Sequence, residues 1–136
     1  MNNVSLNVLL GFVAWTLILL IVMEGLRVRL VMTGSVAANA FTPDNANLSP
    51  FMQRLARAHA NCVETLPVVA TLLIAALIGG RTAVTDPLAP WLLVARLVQS
   101  GAHLASLSVV AVNLRFAAFV VQIAIVVWWT IALLRG

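Results

Sequence analysis

The chain has no lysine, no tyrosine, a single cysteine and only four acidic residues in 136. Charged residues make up 9% of it, against about 25% in ordinary soluble domains, which argues against a soluble globular protein. The formal charge of +4 is carried by arginine alone. Eight arginines scattered among apolar stretches do not form a basic surface, so a nucleic-acid partner is not expected. Anionic headgroups, or a small anionic ligand held by guanidinium forks, suit them better. The lone Cys62 excludes an intrachain disulfide and any multi-cysteine metal centre. The two histidines lie far apart with no carboxylate at ligand spacing, so no metal site is expected.

What the chain does have is hydrocarbon. Hydrophobic residues reach 62% and the mean hydropathy is +1.07. A bilayer span needs roughly 20 residues, so this length accommodates three or four. It leaves no room for a separate catalytic domain, and any function must be built from the helices and their loops. The first apolar stretch lacks a basic leading segment and a small-residue cleavage site, and Glu24 and Arg27 follow it directly; it reads as a retained span rather than a signal peptide.

The fold expected is all-α: one four-helix transmembrane domain over residues 1–136, with spans at about 4–24, 50–79, 88–112 and 116–134. Residues 33–49, with Gly34, Pro43, Asp44 and three asparagines, read as a polar loop. Ser49-Pro50 is a good helix start, a capping hydroxyl followed by proline in the first turn. Pro67 is expected to kink the second helix, Gly79-Gly80-Arg81 to end it, and Asn113-Leu114-Arg115 to form a tight connection. Arg27, Arg29, Arg54, Arg57 and Arg115 then gather at one membrane face, with Arg81 and Arg135 at the other, which makes the first face cytoplasmic and both termini external. Trp91, Trp128 and Trp129 suit interfacial positions, and Trp15 falls mid-span as packing.

The polar residues within the spans fall in register. Arg54, Arg57, Asn61 and Glu64 share one stripe of the second helix, and Arg96, Gln99 and His103 one stripe of the third, continued by Ser106. Asparagine and glutamine both donate and accept, Glu64 can receive an amine, and the arginines can fork onto carboxylates. The inventory suits a small zwitterionic ligand with more than one carboxylate. Two other readings stay open: structural pairing between helices, for example Arg57–Glu64 or Arg96–Glu64, and a transport or proton path of small multidrug-transporter type.

Arg57-Ala-His-Ala-Asn61-Cys-Val-Glu64-Thr-Leu-Pro67 resembles the Arg-Ala-x-x-Asn-x-x-Glu-x-x-Pro signature of the MAPEG family, the membrane-associated proteins of eicosanoid and glutathione metabolism, and especially its short bacterial members. Ala95-Arg96-Leu97, followed by Gln99 and His103, and the Asn113-Leu-Arg115 segment extend the similarity along the chain. The resemblance implies a homotrimer in a bacterial inner membrane, with glutathione as co-substrate bound between subunits toward the cytoplasm. Arg57, Asn61 and Glu64 would hold its backbone and charged termini. Arg96, Gln99 and His103 would line the site from the third helix, with Arg54, His59 and Arg27 at its edges. The implied activity is conjugation of glutathione to lipophilic electrophiles from the lipid, with peroxidase activity as an addition. A non-catalytic glutathione-binding or scaffolding protein is the alternative.

The chain departs from the family pattern where thiol activation is concerned. Thr65 follows Glu64 where glutathione-binding members often carry tyrosine, and Gln99 and His103 stand where a catalytic member has two more. Ungapped counting places the catalytic arginine of that member on Val110, and Arg115 is the nearest substitute. Arg115 is therefore the first candidate for stabilising a thiolate and Arg96 the second.

Overall fold

Capping side chains and glycine stops account for most of the helix boundaries. In the computed structural model, which describes residues 3–136, the chain forms α1 (Val4–Met32), α2 (Pro50–Ile78), α3 (Thr82–Thr85), α4 (Ala89–Ala105) and α5 (Val109–Leu134). No strand occurs among the described residues. The chain is all-helical, as its composition implies.

The Asn3 side chain caps α1 by accepting from the Leu6 amide at 3.2 Å. The helix does not stop where its apolar stretch ends near residue 24; it continues for about two more turns. Glu24 and Arg27, one turn apart, form an ion pair of 2.8 Å that supports the extension. Gly34, at φ +73°, turns the chain away. The loop that follows is organised by Arg27, which donates to Asn45 Oδ1 through Nε and Nη2 and to the Thr42 carbonyl. Asn45 is fully buried and donates onward to the Met52 carbonyl at 2.8 Å.

Ser49 accepts from the Met52 amide and Pro50 occupies the first turn of α2. Pro67 lies inside the helix, and the Thr71 hydroxyl donates to its carbonyl at 2.6 Å. At the far end Arg81 donates to the Leu133 and Ala132 carbonyls, satisfying acceptors that the last turn of α5 leaves free. At the same end Asp86 accepts from the Ser5 amide and hydroxyl, an acidic group at the positive end of α1.

The connection between the last two long helices differs from the expected one. The third helix does not run to residue 112, and 113–115 is not a turn. α4 ends at Ala105, Ser106 is extended, and the Ser108 hydroxyl caps α5 by accepting from the Ala111 amide. Val109–Val112 therefore begins α5, and Asn113 and Arg115 lie within that helix. Hydropathy cannot register this break, because the sequence is apolar on both sides of it; two serine caps make it.

α4 packs against α5 and touches α1 and α2, and α1 lies along α2. One apolar cluster, including Phe12, Leu73, Leu92 and Trp129, fills the Arg81 end. A second, including Leu19, Met23, Leu55 and Cys62, fills the end near the 33–49 loop. Trp129 is fully buried in the first cluster rather than interfacial, whereas Trp91 and Trp128 are exposed. Trp15 packs internally and donates from Nε1 to Ser100 Oγ at 3.0 Å. Helices α1, α2 and α5 are each long and apolar enough to cross a bilayer. α4 has 17 residues.

Candidate functional site

The α2 stripe divides by direction. Arg57 and Glu64 are exposed on the outer side of the helix, Asn61 is half-buried between them, and Cys62 faces the core. The ion pair found among the described residues is Arg27–Glu24, so neither Arg57–Glu64 nor Arg96–Glu64 forms a bridge within the chain. Arg54, one turn earlier, donates from Nε to the Leu104 carbonyl at 3.1 Å and braces the last turn of α4. His59 is half-buried and joins none of these contacts.

Helix α4 meets this stripe at its end. His103 is buried, with Nε2 2.9 Å from Asn61 Nδ2 and Nδ1 3.1 Å from Arg115 Nη1. The early start of α5 makes this possible, because it places Arg115 on a helix beside the end of α4 rather than in a loop that must bend back. Three residues from three helices thus meet at one ring, Asn61–His103–Arg115.

Arg96 lies deeper. It is fully buried, donates from Nη2 to Thr65 Oγ1 at 2.5 Å, and sits 5.3 Å from the Phe12 ring centroid. Its Nε and Nη1 have no partner among the described residues. Gln99 is also internal and accepts from Gln122 Nε2 at 2.9 Å. Gln122 Nε2 also donates to the Ala118 carbonyl, which directs Oε1, without a partner, away from both contacts. A cavity of about 280 Å³ between α2 and α5 is lined by Glu64, Thr65, Gln122 and apolar side chains including Phe119 and Val126. A larger hollow of about 710 Å³ between the end of α1 and the start of α2 contains Arg29 but none of the stripe residues. Arg27, expected at the site edge, is committed to Glu24, Thr42 and Asn45.

A family model described as MAPEG family matches residues 5–135. The chain belongs to the MAPEG family. No curated protein and no solved structure matches it. With three helices fit to cross a bilayer, this MAPEG chain is an integral membrane protein in contact with lipid. Family membership is consistent with glutathione- or eicosanoid-type function at a membrane.

The α2 stripe is legible in the MAPEG sequence, but the internal contacts of Gln122, Thr65, Ser100 and Asn45 are not among its expectations. Gln122 was a visible signal, an amide inside an apolar run. Thr65 and Ser100 were not, because hydroxyls in membrane helices commonly bond their own backbone, as Thr65 also does to the Asn61 carbonyl at 3.0 Å. Asn45 was hidden among the asparagines of the loop.

Proposed function

We propose that this MAPEG protein is a membrane glutathione transferase, a homotrimer of four-span subunits that conjugates glutathione to lipophilic electrophiles at a cleft between subunits. The observation that carries this reading is the exposure of Arg57 and Glu64, of opposite charge and unbridged, on a helix apolar enough to span a bilayer. Ionised groups facing hydrocarbon are costly and persist where they meet protein, water or a ligand. A neighbouring subunit closing over the outer side of α2 would supply the wall that one chain lacks. In this reading α4 is a fourth, short span: 17 residues give about 25 Å, against about 30 Å of hydrocarbon.

The side chains fit the ligand chemically. Arg57 offers a guanidinium fork to a carboxylate, Glu64 an acceptor for an ammonium, and Asn61 an amide for a peptide bond. Glutathione would supply the nucleophile: its thiol proton passes to water, and the thiolate forms a carbon–sulfur bond with an electrophile such as an aryl halide as the carbon–halogen bond breaks and halide leaves. Arg115 provides positive charge where that thiolate develops, and each unit of pKa lowering corresponds to about 1.4 kcal/mol. The α2–α5 cavity, apolar apart from Glu64, Thr65 and Gln122, gives a lipophilic partner access from the bilayer side. The cytoplasmic assignment is supported by Arg27, Arg54 and Arg115, which all contact groups at the end of the bundle opposite Arg81.

The test is glutathione-dependent conjugation of an aryl halide by purified protein in detergent. Turnover above the uncatalysed rate, reduced at least tenfold in both Arg57→Ala and Arg115→Ala, is expected. Glutathione binding without turnover would leave the non-catalytic binding reading in its place, and proton-coupled uptake without glutathione binding would favour transport.

A further inference from the structure

His103 is placed between two groups that both present nitrogen to its ring. Arg115 Nη1 lies 3.1 Å from Nδ1, and the Asn61 amide lies 2.9 Å from Nε2. A guanidinium only donates, so Nδ1 must carry a lone pair. A protonated ring would set N–H against N–H at Nδ1. Accepting from Arg115 therefore requires a neutral imidazole with Nδ1 bare and its one proton on Nε2. Asn61 Nδ2 donates to the Arg57 carbonyl at 3.1 Å, which holds the amide beside the ring. The charges acting on the ring are Arg115 from α5, Arg96 from α4 and Arg57 from α2, all positive.

Among the described residues Arg115 has no carboxylate partner. A long side chain with a free guanidinium samples many rotamers, and a donor aimed in advance at developing charge is worth more than one that must be ordered during the reaction. The buried ring, 7% exposed, is a fixed acceptor for such a donor. Its own position is fixed in turn: Arg54 braces the adjacent Leu104 carbonyl, and Ser108 caps the helix that carries Arg115.

We propose that His103 is a positioning residue whose Nδ1 lone pair holds the Arg115 guanidinium beside the Arg57–Asn61–Glu64 stripe, aimed at the thiol of the bound ligand. The inference rests on the glutathione reading above and adds a second requirement to it. Asn61 lies against the same imidazole, so the stripe on α2 touches the ring that holds Arg115 on α5.

The test is the thiolate absorbance of protein-bound glutathione titrated against pH, beside glutathione calorimetry on the same samples. His103→Gln keeps reach toward Asn61 but removes the acceptor at the Nδ1 position, whereas His103→Asn keeps an acceptor near that position. His103→Gln should raise the thiol midpoint by about one pH unit, roughly tenfold less thiolate at neutral pH, while affinity changes by less than about threefold. Arg115→Ala should give the same rise, the double variant no more than either, and His103→Asn should recover most of the wild-type midpoint. Nitrogen NMR of labelled histidine in the unmutated protein should show Nδ1 bare and Nε2 protonated. A wild-type midpoint in His103→Gln, additive effects in the double variant, or the opposite tautomer would overturn the proposal while leaving glutathione binding intact. Absence of glutathione binding in the wild type would overturn both readings together.

Discussion

At the scale of single residues, the arginines of α2 and α4 stand in opposite environments. Arg57 is exposed and unbridged, while Arg96 is fully buried with two donors unpartnered. Arg57→Ala should therefore act on binding, weakening glutathione affinity at least tenfold, in line with about 1.5–3 kcal/mol for a hydrogen bond to a charged group. Calorimetry reads it, and unchanged affinity would remove Arg57 from the site. Arg96 depends on the hydroxyl of Thr65. Thr65→Val, nearly the same shape, deprives a buried charge of that acceptor and should destabilise the protein by about 1–3 kcal/mol. Thermal unfolding in detergent checks this, and an unchanged midpoint would mean that other groups satisfy the guanidinium. Spacing alone placed Arg57, Asn61 and Glu64 on one side of α2, because a regular helix carries register reliably over two turns. It could not distinguish the inward direction of Arg96 from the outward direction of Glu64, since both lie in apolar surroundings in the sequence. Burial is decided by neighbouring helices.

At the scale of elements, the α4–α5 link is what assembles the site. The expected helix to residue 112 would have left Arg115 in a loop, and the break at Ser106–Ser108 puts it beside His103 instead. Ser108→Ala removes the cap of α5 and should cost about 1 kcal/mol of stability. Because that cap sets the first turns of the helix bearing Arg115, the same variant should also lower conjugation more than glutathione affinity. Equal losses in both would contradict this link between cap and site. The 33–49 loop carries a pH dependence of its own. The Thr42 hydroxyl and the Ala46 amide hold the Asp44 carboxyl below its usual 3.8. A depressed folded-state value stabilises the loop above about pH 4 and loses that contribution as pH falls through the folded pKa. Limited proteolysis of the loop should be flat from pH 7 to about pH 5 and rise only in stronger acid. A rise already at pH 6 would point to a different group.

At the scale of the whole molecule, the composition makes the all-helical membrane class legible, and the α2 motif makes the family legible from the sequence. The long end of α1 was not legible, because charged residues that end a hydropathic stretch can still continue a helix once outside hydrocarbon, as Glu24 and Arg27 do. In the topology proposed here, single cysteines at positions 40 and 107, introduced into a Cys62-free background, should be labelled from one side of the membrane and a cysteine at position 80 from the other. Labels on opposite sides at 40 and 107 would refute it. Native mass spectrometry in mild detergent should give trimers; monomers or dimers alone would remove the intersubunit cleft. The central claim is that the outward stripe of α2 is a glutathione site. Titration calorimetry of glutathione into the purified wild-type protein, Arg57→Ala and Glu64→Gln tests it most directly. Submillimolar binding by the wild type that is lost in both variants is the expected result. No heat of binding to a folded, trimeric wild type, or binding that survives both substitutions, would contradict it.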